Sequence, residues 1–438
     1  MPNTVRPNDA YPSIQASNAL FERAKDLIPG QTQLLAKGPT QWVFGVAPKY
    51  LERGYGARVI DVDGNEYLDL TMAQGPLSLG YGHPTVDAAI RTQLERGINF
   101  SLVHPLEVRV AELIREVVPG VEMVRFSKTG ADVTSAAVRV ARAYTGRDQV
   151  LALGYHGWHD WYIGTTTRNR GVPEAARALT RALPYNDLEA ARQAISQETA
   201  CVILEPIIFQ SPSPGYLAGL RRLCDEQGAL LIFDEMWTGF RLGLGGAQSY
   251  FDVAADLVTY SKAIANGMPL SVLAGKREFM RLLGEDLFFF TTFGGETLSL
   301  AAAEATIQVL RDRDVPTHLF RIGDRLRDGY NAIAQALGLA YTRCSGLGPR
   351  TIIEFDGPPK VAADPLEMKS LVQQEMLRHG VLWSGFHHVS FAHSEADVDY
   401  VLRSYEDALD VLDRAVRAGE VRARLRGTPV QPVFRKVQ

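Results

Sequence analysis

The chain has 438 residues, 46% hydrophobic and 22% charged, with 46 basic side chains against 50 acidic ones and a formal charge of −4. That length fits two or three domains, and with no long basic run neither nucleic acid nor an anionic membrane is an expected partner. No stretch nears the roughly 20 apolar residues that span a bilayer, no signal-peptide core is visible, and the scattered Cys201, Cys224 and Cys344 suit buried thiols in a reducing cytoplasm.

Residues 1–15, with three prolines, read as frayed. Ser17–Leu27 reads as a short helix stopped by Pro29-Gly30. Val59–Val62 and Glu66–Leu70 are strand-like and joined by Asp63-Gly64-Asn65, a hairpin signal. Val86–Gly97 and Glu107–Val117 read as helices. A strand at Met123–Ser127 leads into the most regular helix, where Val133, Ala136, Ala137, Val140, Ala141 and Tyr144 recur at spacings of three and four.

Strand-like runs follow at Val150–Leu153, Cys201–Leu204, Leu230–Phe233 and Leu257–Tyr260. Most are apolar throughout, as in a parallel sheet covered by helices on both faces. Beyond about residue 320 the order is helix Arg321–Leu337, strand Arg350–Phe355, helix Pro365–His379, strand Val381–Trp383 and a long final helix. Ser394 and Asp397 form a variant capping box at the start of that helix. The expected class is α/β: an N-terminal segment (1–75) packing with the small domain, a large domain (76–322) with a mostly parallel central sheet, and a smaller α+β C-terminal domain (323–438).

Four places carry candidate chemistry. The apolar strand of LLIFDE ends in Asp234 and Glu235, either solvated turn residues or carboxylates aimed into a site beyond the strand ends. Lys262 follows the next strand, 28 residues on, so one crossover brings both to the same sheet edge. Together they suit pyridoxal 5′-phosphate (PLP). A desolvated lysine amine forms a Schiff base with its aldehyde, and a carboxylate keeps its pyridine nitrogen protonated. The strand–helix join at Thr129-Gly130-Ala131-Asp132 is either an N-capped helix start or a phosphate seat. In LGYHGWHDW, Tyr155 could stack on a flat ring or pack under a loop. A rival reading there is a metal site of His156, His159 and Asp160, although no helical His spacing supports it.

With these elements in order, the chain resembles the fold-type I, class III PLP-dependent aminotransferases, and in particular the branch containing glutamate-1-semialdehyde aminomutase. The resemblance runs from about residue 20 to 415 through VIDVDGNEYLDL, TGADVTSAAVRVARAYTGRD, YHGWHD, VILEP, LLIFDEMWTGFR, YSKAIANGMP, TTFGGETLSLAAAEA and FAHSEADVDYVL. It implies that Lys262 carries the cofactor and shuttles the substrate proton, and that Asp234 meets the pyridine nitrogen. Gly130 and Ala131 would give backbone N–H groups to the phosphate, with Ser127 and Thr129 as weaker candidates beside them. Tyr155 would cover the ring, and Glu205 and Glu235 would lie near it. Thr292 would reach the phosphate of the neighbouring subunit, making the active unit a homodimer.

The departures from the family pattern also carry information. Ala131 replaces a hydroxyl residue of the usual Ser-Gly-Thr-Glu, and Gly295-Glu296-Thr297 replaces the common Gly-Asn-Pro. Leu34 and Lys37 stand where aminomutases place a Ser and an Arg against the substrate carboxylate, and lysine lacks arginine's bidentate fork. WSGFHHVSFAH also lacks an arginine for an α-carboxylate. Lys37, Glu296 and His104, which is either a structural turn residue or part of the entrance, are the substrate-side candidates. The expected activity is amino transfer from a donor amino acid such as L-glutamate to a ketone or aldehyde, sugar-like or otherwise polar. An aminomutase is the alternative, and a non-catalytic regulatory protein of the same fold a remoter one.

Overall fold

The computed structural model describes residues 11–357 and 363–432. They fall into two compact units, one running to His83 and resuming at His318, the other spanning Pro84–Thr317. The first ten residues of the segment read as frayed lie outside the described residues, and a helix, Gln15–Lys25, begins at its last residue.

In the Pro84–Thr317 unit, seven strands form one sheet. They are β1 (Met123–Ser127), β2 (Gln149–Leu153), β3 (Thr180–Ala182), β4 (Thr199–Leu204), β5 (Leu230–Asp234), β6 (Leu257–Tyr260) and β7 (Ser271–Gly275), in the spatial order β1-β7-β6-β5-β4-β2-β3. β7 runs antiparallel to both β1 and β6, and every other pairing is parallel. The other six strands therefore all end on the same edge. The apolar runs have the burial their composition requires: every position of β4 and β5 is buried. Each fully buried Leu, Ile or Phe there contributes about 1.5–3 kcal/mol.

Four helices frame the parts that matter: α1 (Pro105–Val117), α2 (Gly130–Thr145), α3 (Tyr216–Gln227) and α4 (Thr297–Asp312). α2 starts at a reciprocal capping box between Thr129 and Asp132 and stops at Gly146. Its stripe Val133, Ala136, Ala137, Val140 and Ala141 is buried. Tyr144, the last member of the expected stripe, is half-exposed and meets Phe279 edge-on. Cys201 and Cys224 of this unit are buried, and burial pushes both thiols up to about 12.

In the other unit, Arg58–Asp61 and Glu66–Asp69 pair antiparallel as the Asp-Gly signal predicts, with Gly64 at φ 87° in the turn. Leu51–Tyr55 adds an outer strand, and Val381–Leu382 joins in parallel on the far side, Val381 opposite Leu68. Thr342–Leu347, Arg350–Phe355 and Phe386–His388 form a second, antiparallel sheet. The last long helix, Glu395–Ala418, opens at Ser394, whose hydroxyl accepts from the Asp397 N–H while the Asp397 carboxylate accepts from the Ser394 N–H. Among the described residues, no helix is long and apolar enough to cross a membrane.

This unit buries histidines as neutral rings. His387 lies out of solvent between Thr351 Oγ1 (2.8 Å) and Tyr405 OH (2.7 Å). Burial, with repulsion from His393, lowers its pKa to about 3, and burial also lowers that of His393. Both folded values lie below the unfolded value of about 6.5, so the unfolded chain binds more protons as pH falls below that point. The stabilisation is complete above about pH 6.5 and is lost as pH drops towards 3. His387 alone should cost about 2 kcal/mol of stability between pH 7 and pH 5. Urea unfolding at the two pH values checks this, and equal stability at both would contradict it.

Candidate active site

The loops after the strand ends gather on one sheet edge. β1 leads into 128–131, β2 into 154–158, β4 into Glu205, β5 into Asp234 and Glu235, and β6 into Ser261 and Lys262. Asp234 is opposite Thr259 in the β5–β6 register, so Lys262 follows three residues beyond its neighbour. Gly130, Ala131, Tyr155, Glu205, Asp234 and Lys262 all belong to this edge.

Asp234 is almost wholly buried. Its Oδ2 lies 2.7 Å from His156 Nδ1, a pair whose side chains are 1% and 0% exposed. A carboxylate can only accept, so Nδ1 donates. Oδ1 has a longer contact from the Met236 N–H at 3.2 Å. His156 Nε2 is buried and has no hydrogen-bond partner among the described residues. The arrangement fixes the carboxylate's orientation through a buried ring, with Oδ1 the less heavily used oxygen.

Lys262 opens a short 3₁₀ turn at φ 50°, in the left-handed region that non-glycine residues rarely occupy. Such a conformation costs on the order of 1–3 kcal/mol and gathers at functional positions. Two places along the same edge, after β1, the first turn of α2 presents the Gly130 and Ala131 N–H groups, for which no acceptor is found among the described residues. A Cβ at Gly130 would lie 2.9 Å from Met236 Sδ, so a side chain there would crowd the join. Thr129 and Ser127 are committed to the cap: the Asp132 carboxylate accepts from Thr129 N–H (2.9 Å) and Ser127 Oγ (2.8 Å).

Tyr155 is half-exposed and lies edge-on to Tyr162. Its N–H donates to Glu205 Oε1 at 2.8 Å. Burial, with the charges of Asp234 and Glu205, holds its phenol above the ordinary value. Gly157, at φ 105°, lets this loop touch the start of α2, because a Cβ there would stand 2.7 Å from the Ala131 Cβ. Glu235 turns inward and accepts from Ala247 N–H, Gln248 N–H and Thr238 Oγ1. Burial raises its carboxyl to about 7 despite those donors, so it braces the loop after β5.

The substrate-side candidates are placed differently. Glu296 is the N-cap of α4, accepting from Leu298 and Ser299 N–H groups and from Lys128. His104 caps α1, its Nδ1 accepting from the Leu106 N–H and its ring stacked on Phe100 at 5.1 Å. Both oxygens of Glu296 and the Nδ1 of His104 are engaged in helix starts. Lys37 belongs to the unit that runs to His83, where with Phe21, Trp42 and Phe44 it lines a cavity of about 20 Å³. Thr292 is exposed, in a loop held by Arg139 to the Phe288 carbonyl (2.7 Å) and by Arg125 to the Phe289 carbonyl (3.1 Å). The metal reading fails on geometry: His156 faces Asp234, whereas His159 Nδ1 faces Ser135 Oγ at 2.6 Å.

These residues suit PLP by their chemistry: an amine, a buried carboxylate held by a hydrogen bond, and two N–H groups at a helix start that have no acceptor among the described residues. The profile of the class-III aminotransferases matches residues 45–397, and the chain belongs to that family. It is 34% identical over 417 residues to the 3-aminobutyryl-CoA aminotransferase of Cloacimonas acidaminovorans, covering 90% of this chain and 96% of that one. It is 35% identical over 432 residues to the glutamate-1-semialdehyde 2,1-aminomutase of Roseiflexus castenholzii, covering 92% and 99%. Among solved structures, the PLP internal aldimine form of the FumI protein of Sphingopyxis sp. MTA144 superposes with a TM-score of 0.85 at 28% identity, over 94% of this chain and 98% of that one. A β-phenylalanine aminotransferase from Variovorax paradoxus gives 0.81 at 26% identity, over 91% and 94%. The fold is that of the fold-type I transaminases.

Proposed function

We propose that the chain is a PLP-dependent aminotransferase that takes an amino group from a donor amino acid, L-glutamate, and gives it to a ketone or aldehyde acceptor. The observation that carries this reading is the buried His156–Asp234 pair at the end of β5, beside the strand that leads into Lys262 in its strained turn. PLP, when bound, supplies an aldehyde that accepts the amine and a ring that accepts electrons. Every other task falls to this chain. The Lys262 amine holds the cofactor and moves a proton at the donor's Cα. Asp234 keeps the pyridine nitrogen protonated, and His156 keeps Asp234 aimed. The Gly130 and Ala131 N–H groups bind the phosphate, and Tyr155 covers the ring.

The acceptor is a polar, sugar-like carbonyl compound without a conventional α-carboxylate, because Lys37 offers one ammonium where the resemblance would place an arginine. The working unit is a cytoplasmic homodimer with Thr292 serving the neighbouring site. Support for the dimer comes from exposed apolar side chains in the same unit as Thr292: Leu102, Val103, Phe288, Phe290 and Phe293. The name of the Roseiflexus castenholzii relative supports a second reading, an aminomutase, in which the amine stays within one molecule.

Visible spectra of the holoenzyme before and after L-glutamate, with no acceptor, separate the two. Loss of the cofactor's visible band with stoichiometric 2-oxoglutarate supports the transferase. A band indifferent to glutamate, with conversion of glutamate-1-semialdehyde, would replace it with the mutase.

A further inference from the structure

Directly before the Thr129-Gly130-Ala131 turn stands a side chain that the assignments above do not use. Lys128 Nζ donates to Glu296 Oε1 at 2.8 Å, and the two side chains are only 18% and 10% exposed. The two ends are unequally supported. Glu296 also accepts from the Leu298 N–H at 2.8 Å and the Ser299 N–H at 3.1 Å. The Lys128 ammonium has Glu296 as its only partner among the described residues. Burial lowers the lysine's pKa more than Glu296 restores it. On Glu296 burial pushes upward, but Lys128 and the α4 donors outweigh it and the carboxyl stays low.

The start of α4 is itself anchored, since Thr297 Oγ1 donates to the Gly97 carbonyl at 2.9 Å and the Thr297 N–H to the Ile98 carbonyl at 2.9 Å. Lys128 therefore ties a turn to a fixed post, two residues before Gly130, the first N–H group without an acceptor among the described residues. Without that tie, the strand–helix join keeps its capping box and its bonds to the Asp132 carboxylate, but the segment entering it loses its link to α4.

We propose that the Lys128–Glu296 ion pair is the positioning clasp of the phosphate seat, tying residues 128–131 to the N-terminus of α4 so that the Gly130 and Ala131 N–H groups converge on one anion. The inference rests on reading those N–H groups as the seat of the PLP phosphate. Both members are positioning residues that act through the backbone, so their effect is specific to cofactors bearing a phosphate.

The test uses the holoenzyme and compares retention of PLP with that of pyridoxal, which lacks the phosphate, in the wild type, Lys128→Gln, Lys128→Arg and Glu296→Gln. Lys128→Gln should release PLP about tenfold faster, between the limits for exposed and buried ion pairs. Lys128→Arg should restore most of that loss, and pyridoxal retention should not change. Should Lys128→Gln fail to fold, Glu296→Gln carries the same prediction, because its amide oxygen can still cap α4. Unchanged PLP retention in both glutamine variants would overturn the clasp, and so would equal loss of PLP and pyridoxal, which marks general loosening. A wild type that holds pyridoxal as firmly as PLP would remove the phosphate seat itself, and the clasp with it. The wild-type ratio thus tests the reading, and the variant ratios test the inference.

Discussion

Replacing Lys262 with alanine is expected to abolish turnover, lowering the rate by about 10⁴-fold or more, the upper range for removing a group that transfers the proton in the reacting complex. The folded state should not suffer, because the left-handed turn at φ 50° is then occupied by a smaller side chain in the same backbone. Noncovalent retention of the cofactor should survive in part, since the Gly130 and Ala131 N–H groups and Asp234 remain. Steady-state rates with the donor, alongside thermal unfolding of the same preparation, decide the matter. Turnover within a few-fold of wild type would remove Lys262 from the chemistry.

Asp234→Ala should be the second most damaging change. Its carboxylate is buried and oriented by His156, so in the proposed assignment its loss removes the preorganised charge that would face the pyridine nitrogen. Effects of that kind cost about 10²- to 10³-fold. His156→Leu leaves the carboxylate but removes its donor. A hydrogen bond to a charged group is worth about 1.5–3 kcal/mol, so a loss of about 10- to 100-fold is expected. The order wild type, His156→Leu, Asp234→Ala is the signature of a positioning residue acting through a catalytic one. It is read from single-turnover rates with the donor, and an Asp234→Ala rate equal to wild type would refute the pyridine-nitrogen role.

The apolar strand runs were legible because burial on both faces removes polar alternation, and β5 ending in Asp-Glu could be read the same way. β3 and β7 left no such mark. β3 is three residues long with two exposed, and β7 follows a turn without periodic contrast. The Asp234–Lys262 pairing was legible because its partners end consecutive strands. His156 was visible as a residue but not in its role, because its partner lies on β5, two places away in a sheet whose order 1-7-6-5-4-2-3 the sequence does not display. Glu296 and His104 looked like substrate groups because isolated polar residues beside a predicted site attract that reading. Each precedes a helix start, and satisfying the first turn's N–H groups is what occupies them. Lys128 carried no signal at all, since an ion pair across 168 residues cannot be read from either end alone.

Borohydride reduction of the purified holoenzyme, followed by proteolysis and peptide mass spectrometry, tests the central claim most directly. Reduction makes the lysine–cofactor link permanent, so the pyridoxyl group should appear on the peptide containing Lys262 and on no other lysine in stoichiometric yield. The same group on a different lysine, or none after reconstitution with PLP, would contradict the account.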